Sequence, residues 1–326
     1  MTRQEAILDQ EILHYRSLAY AQSTRQTYTS FRDTYLRFCI YFGYTPVPAD
    51  NLTIWRYTAF LSRSVSSVSI PGYLSVVRIL HLEASLPNPI GDNWILDTIL
   101  RGIKRDHPVS RVQKLPITPD ILRLIHSHID LSSPIDVAFW SACLIAFFGF
   151  LRKSSLLPKS RDITSAPVLS RKDVSFSDSG ALLSIRHTKT IQFCERILQI
   201  PIIRISNSIL CPVTALEKLM SLSLGKQIPD VAPLFSYPVS DYQHDWITHS
   251  VFVSKLRSVL SSCGLQASKF SGHSFRRGGA TFAFTCGVPA ELIKMHGDWR
   301  SSAYLRYISP SLTDRQKLSR IISLHI

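Results

Sequence analysis

From Val137 to Leu151 the chain is apolar at every position except Ser141 and Gly149, and the run stops abruptly at Arg152-Lys153. A bilayer span needs about 20 apolar residues, and this run is shorter. Burial inside a protein is its remaining way out of water, so the sequence predicts a core helix over 134–151. A helix that is apolar on all sides is a buried one.

At 326 residues the chain is longer than one domain usually is, and two are expected. The division predicted is a helical domain over 1–106, a linker over 107–116 and a second domain over 117–326 with a tail from about 311. The linker segment is polar and basic and is broken by Pro108 and Pro116. Lys and Arg outnumber Asp and Glu by 37 to 23, a net charge of +14, which points to a polyanionic partner, most simply nucleic acid. The excess is uneven: residues 1–108 carry 11 basic and 9 acidic side chains, residues 109–326 carry 26 and 14. Most of the basic surface therefore belongs to the second part. The six cysteines (39, 143, 194, 211, 263, 286) form no C-x-x-C pair, so neither a zinc ribbon nor a disulfide framework is expected. Glu5, Asp9 and Glu11 leave no room for a signal peptide at the amino terminus, and a soluble protein is the expectation.

Apolar spacing gives the coarse structure. Thr27, Phe31, Tyr35 and Phe38 recur at helical intervals, and Leu52, Trp55, Ala59 and Leu61 open a further stretch, with breaks at 64–71 and 86–89. A bundle of four or five short helices follows for the first domain. In the second, Thr118 caps a helix opened by Pro119 and running to His128. Alternating stretches at 181–186 and 196–200 flank a polar turn at 187–193, a β-hairpin with Lys189 at its tip. Helical periodicity returns at 213–221, 250–262, 274–286 and 290–295, and a last turn begins at Ser302. The fold class is mainly α with a small antiparallel sheet in the second domain (α+β).

The chemistry concentrates near the carboxyl end. In Ser271-Gly272-His273-Ser274-Phe275-Arg276-Arg277-Gly278-Gly279, His273 and Arg276 stand three residues apart at a helix start, so they share a face near a terminus that favours anions. Imidazole and guanidinium together can bond two oxygens of one phosphate, and the planar Arg fork fits that geometry as Lys does not. Gly278 and Gly279 cost about 1 kcal/mol each inside a helix, which implies close approach of another backbone. Downstream, Asp298-Trp299-Arg300 precedes a helical turn carrying Tyr304 and Tyr307 on one face, and spacing alone lets either tyrosine point at the phosphate.

These motifs resemble the carboxyl-terminal signature of the tyrosine recombinases, also called the phage integrase family, over roughly 116–308. The resemblance assigns the family's set to Arg152, Lys189, His273, Arg276, Trp299 and Tyr307, and likens the first domain to the family's DNA-clamping core-binding domain. It implies that Tyr307 attacks a DNA phosphate, forming a 3′-phosphotyrosyl bond and freeing a 5′-hydroxyl, with no metal or cofactor. Arg152 and Arg276 would clamp the non-bridging oxygens, Lys189 would protonate the leaving oxygen, and His273 would serve as base or hydrogen-bond donor. Trp299, at the family's His-or-Trp position, would donate one hydrogen bond and pack the site. The family often has an acidic residue where this chain has Ser155.

The expected activity is site-specific recombination of double-stranded DNA, with a homotetramer on synapsed DNA and a monomer when free. The alternatives are a domesticated or decayed copy that binds DNA without cutting it, and a type IB topoisomerase. The segments 272–278 and 297–307 are most similar to recombinases of eukaryotic mobile elements, of the Crypton and DIRS or Ngaro types, which implies a nuclear location, or a cytoplasmic one at the nucleoid if the host is bacterial. Zinc binding by His187, Cys194 and Cys211 fits no usual ligand spacing. A metal-dependent nuclease would need an acidic cluster that the basic motif does not have beside it.

Overall fold

The computed structural model describes residues 3–108, 113–163, 168–191, 195–308 and, in the tail, 316 and 320–324. By its internal contacts the chain forms two compact units, Met1–Val112 and Gln113–Ile326. Positions 109–112 of the expected linker lie outside the described residues.

The first unit has five helices among its described residues: α1 (Arg3–Leu18), α2 (Gln22–Phe42), α3 (Asn51–Ser62), α4 (Ile70–Glu83) and α5 (Trp94–Asp106). Tyr35 and Phe38 of the predicted stripe are buried with Ile54, Tyr57, Leu61, Leu74 and Leu96, so α2 to α5 share one core. The helix starts are chemically marked. Asp50 accepts from the Thr53 N–H at 2.7 Å, and Asn93 accepts from the Leu96 N–H at 3.0 Å. Pro71, read in the sequence as part of a break, sits instead in the first turn of α4, where its missing N–H costs nothing.

The second unit is built around α7 (Pro134–Phe148), buried along nearly its whole length. The predicted helix over 134–151 ends three residues early because Gly149 terminates it and Phe150 turns left-handed (φ 47°). Ser141, the polar break in the run, has the carbonyl oxygens of Val137 and Ala215 at 2.9 and 2.8 Å, so its hydroxyl is satisfied inside the core. Thr118 accepts from the Ile121 N–H at 3.3 Å and starts α6 (Pro119–His126), which stops short of the expected His128. A four-residue helix, α8 (Lys153–Leu156), follows α7.

The predicted hairpin is present as β2 (Gly180–Ile185) and β3 (Leu198–Ile203), antiparallel with Leu183 opposite Ile200. Beside it lies a further strand, absent from the predicted elements, β1 (Val174–Ser177), pairing with β2. It is short and largely exposed, which leaves it little hydrophobic pattern. Pro201 is tolerated because β3 lies at the sheet edge. A second small pair, β4 (Ser236–Pro238) and β5 (His244–Trp246), completes the strands described. The helices α9 (Pro212–Ser221), α10 (His249–Ser262), α11 (Gly272–Thr285) and α12 (Ala290–His296) follow the predicted periodic segments within a residue or two, and α9, α11 and β4 pack on α7. In the tail, Leu312 and Leu318 lie outside the described residues, while Ile321, Ile322 and Leu324 are exposed.

Candidate active site

The amino terminus of α11 is fixed by a reciprocal cap. Ser271 accepts from the His273 N–H at 3.3 Å, and Ser274 accepts from the Ser271 N–H at 2.9 Å. This leaves His273 exposed at the helix start and turns Arg276 inward. The two glycines that follow let α11 sit against other backbone. A methyl group at Gly278 would overlap the carbonyl oxygen of Ile117, and one at Gly279 would overlap that of Phe147 and lie 2.7 Å from the Phe150 ring. Close approach, inferred from the sequence, is thus the reason for both. It also brings Arg276 against the turn between α7 and α8, where Arg152 stands as the residue before α8.

Arg276 is only 2% exposed. One guanidinium nitrogen donates to the carbonyl of Phe150 and the other to that of Gly297 at 2.7 Å, while the group stacks 3.7 Å over the Trp299 ring. The left-handed backbone at Phe150 aims the first of these carbonyls. Burial, and then the charge of Arg152, push Arg276 down to about 9, against the opposing influence of Tyr307 and Asp298. It remains a cation at neutral pH. No ion pair neutralises it among the described contacts, and its Nε–H is buried without a partner. A buried cation in that condition is costly, and an anion that reached it would relieve the cost.

Tyr307 ends the 3-10 turn Ser302–Arg306 and is half-buried. Its carbonyl accepts from the Thr281 hydroxyl on α11 and its N–H donates to Tyr304 at 2.8 Å, which fixes the backbone beside the helix. Its ring lies 5.5 Å from that of Trp299 and 5.8 Å from the Arg276 guanidinium carbon. Tyr304 contacts Trp299 as well, at 6.3 Å between ring centroids, but its described contacts do not include the guanidinium. Trp299 is 6% exposed, and a methyl group at Gly297 would overlap its ring, so the glycine clears the indole's place.

Partial withdrawal from water lowers the pKa of His273, and the charges of Arg152, Arg276, Lys153 and Lys189 lower it further. The imidazole is therefore neutral at pH 7 and free to accept a proton. The same influences place all four cations within electrostatic range of it. Lys189 is exposed at the hairpin tip, in the turn closed by the Thr188 N–H to Ile191 carbonyl bond of 3.0 Å. Arg276, Trp299 and Tyr307 are thus in mutual contact, while Arg152 and Lys189, the latter on the hairpin, are within electrostatic range of His273.

Some supporting residues carried no recognisable signal. His249 donates to the carbonyl of Lys153 at 3.1 Å and braces the turn after Arg152, and His296 donates to that of Phe148 at 2.8 Å. Asp298 and Arg300 bond to the hairpin tip more than a hundred residues away. An acid placed inside an otherwise basic motif was the one available hint. Among the described residues no group of three or more His, Cys, Asp or Glu is arranged to hold a metal ion; Cys194 lies outside them.

No family model matches the chain. Over 292 residues it is 23% identical to the integrase/recombinase XerD homolog of Selenomonas ruminantium, covering 88% of this chain and 82% of that protein. Its fold is similar to that of the Tn1549 transposon integrase in complex with transposon right end DNA, with a TM-score of 0.63 and 12% identity over 96% of this chain and 97% of the other. A lambda integrase dimer bound to a COC′ core site shares the fold with a TM-score of 0.55 and 16% identity, over 95% of this chain and 77% of the other. Sequence similarity along most of the length, the shared fold and the clustering of the motif residues agree. Along most of its length the chain is thus similar in sequence to an integrase/recombinase, and it has the fold of the solved integrases.

Proposed function

We propose that this protein is a site-specific DNA recombinase that cleaves and rejoins strands through a 3′-phosphotyrosyl intermediate. The observation that carries this reading is the placement of the Tyr307 ring 5.8 Å from a buried, ion-pair-free guanidinium, that of Arg276. A phosphate diester is the anion that such a pair can both hold and attack. The Tyr307 oxygen bonds to phosphorus and its proton passes to neutral His273. The P–O5′ bond breaks, its electron pair stays on the 5′-oxygen, and Lys189 supplies the proton that completes the hydroxyl. Arg152, Arg276 and the Trp299 N–H stabilise the charge that builds on the non-bridging oxygens. Attack by another 5′-hydroxyl reverses these steps and exchanges strands without an outside energy source.

The partner is duplex DNA, held by the basic second unit and clamped by the helical first unit as a core-binding domain. The assembly is a homotetramer on synapsed DNA. A groove of about 1120 Å³ beside the site, lined by Phe148, Ile203, Phe282, Leu292 and Met295 among others, offers an apolar seat for the tail, whose Ile321, Ile322 and Leu324 are exposed, either of the same copy folded back or of a neighbouring one. The lineage proposed is that of Crypton or DIRS/Ngaro elements, whose recombinases work in the nucleus; a bacterial host would place the work at the nucleoid. Terminal or direct repeats flanking the gene test this.

The test of activity is a nicked substrate built from the DNA flanking the gene, from which the cleaved strand diffuses away. A covalent protein–DNA adduct is expected, and none with Tyr307→Phe. Specific binding with no adduct would favour instead a copy that binds without cutting, for which Ser155, buried where the family often carries an acid, is the motivating observation. Relaxation of any supercoiled plasmid regardless of sequence would favour a topoisomerase.

A further inference from the structure

The paired part of the β2–β3 hairpin ends at Ile185 opposite Leu198, so the tip that carries Lys189 extends beyond the ladder. Segments of that kind open at little cost unless other contacts hold them. Here the contacts come from the two residues that flank Trp299. One carboxylate oxygen of Asp298 accepts from the hydroxyls of Thr190 and Thr188, the latter at 3.4 Å, and the other accepts from Arg196 at 2.5 Å. Arg300 donates to the carbonyl of Thr190 and to Glu195 at 3.2 Å. Thr188 and Thr190 bracket Lys189, and their own shape is set by the Thr190 and Ile191 N–H groups, which donate to the Thr188 hydroxyl at 3.0 and 3.1 Å.

We propose that Asp298 is a positioning residue which, with Arg300, latches the hairpin tip so that Lys189 stands over the leaving 5′-oxygen. Trp299 packs on Arg276 and Tyr307 while its two neighbours grip the tip, so one three-residue segment couples the nucleophile's surroundings to the acid's. The Asp298 side chain is 11% exposed, and its backbone is left-handed (φ 53°), which Asp tolerates better than most residues. Burial alone would raise the carboxyl's pKa, but the Thr190 hydroxyl and Arg196 hold it below the usual range, so it stays an anion and an acceptor. The latch acts on the side of the site, because Lys189 lies within electrostatic range of His273.

This inference rests on the recombinase reading, and the experiment separates the two. Adduct formation is followed in single turnovers on ordinary DNA and on DNA whose scissile 5′-bridging oxygen is replaced by sulfur. A thiol ionises near pH ~8.5 and leaves without a proton, so that substrate bypasses the general acid. Asp298→Gly, which keeps the left-handed backbone, and Thr190→Val, which keeps the β-branched shape but removes the hydroxyl that bonds Asp298 and Thr188, are both expected to cleave ordinary DNA roughly 10- to 100-fold slower, within the range general acids contribute. On the sulfur substrate both should recover to nearly the wild-type rate, as Lys189→Ala should, whereas Arg276→Lys should not. Wild-type rates on ordinary DNA, or a deficit that persists on the sulfur substrate, would overturn the latch. A wild-type protein that forms no adduct on either substrate would overturn the recombinase reading, and the latch with it.

Discussion

The guanidinium carbon of Arg276 lies 3.7 Å from the centre of the Trp299 ring, and the indole N–H of Trp299 is buried without a partner among the described residues. The ring and the N–H therefore have separable roles. The ring supports a desolvated cation, an interaction of about 2 kcal/mol or more in such surroundings. The N–H contributes nothing until an acceptor arrives. Trp299→Ala should lower stability by about 3–5 kcal/mol, measured by denaturant unfolding, because it opens a cavity under the cation. Trp299→Phe should cost far less stability yet still slow adduct formation, since it keeps a ring and removes the donor. Equal effects of Phe on stability and on cleavage would contradict this division.

Arg276→Lys removes more than a hydrogen bond. The site already pushes a guanidinium down to about 9, chiefly through burial and then through Arg152. A lysine ammonium begins lower, near ~10.4, so the same surroundings drive it toward the neutral amine at pH 7. The expected loss in cleavage rate is about 100-fold or more, the scale for removing a donor to a developing oxyanion. The variant should also recover in part as pH falls. An unchanged pH profile would show that charge at this position is not what matters.

How much of this was legible in the sequence depends on distance along the chain. The core helix α7 could be read because its burial is written into consecutive residues, and the hairpin because its strands alternate. His273 and Arg276 were legible because a helix turns their spacing into proximity. The end of α7 at Phe148 was not, because it depends on the left-handed turn at Phe150, whose carbonyl is directed at Arg276, 126 residues on. The grip of Asp298 on Thr190 spans 108 residues and has no local pattern at either end. Such contacts are decided by packing, which periodicity does not encode.

Acid should weaken the fold and the chemistry together. Burial lowers the pKa of His126, His249 and His296, and partial withdrawal of the ring from water together with the four nearby cations lowers that of His273. A histidine whose folded pKa is depressed binds its proton more readily in the unfolded chain. Its contribution is therefore whole above the unfolded value of about 6.5 and is lost as pH falls through the folded value. Unfolding midpoints should drop progressively below pH ~6.5. Cleavage at sub-saturating DNA, which reports the free enzyme, should fall along an acid limb that lies below pH 6.5, and His273→Gln should lower the plateau and flatten that limb. A limb unchanged in His273→Gln would assign it to another group.

Gly278→Ala sets two effects against each other. Helix propensity favours alanine by about 1 kcal/mol. Against that, the added methyl group meets the carbonyl oxygen of Ile117, a backbone atom held in place by the Ile117 N–H, which donates to Ser274 at 2.9 Å. Overpacking against groups that cannot rotate away costs about 1–3 kcal/mol or more, so the steric effect wins. The variant should lose stability, and α11 should shift enough to loosen Arg276 from the Phe150 carbonyl. Gly102→Ala in α5 is the control, because a methyl group there meets nothing within 4 Å. It should stabilise the first unit by up to about 1 kcal/mol through propensity alone. Thermal unfolding that moved both variants in the same direction would show that helix propensity, and not the close approach at Ile117, governs Gly278.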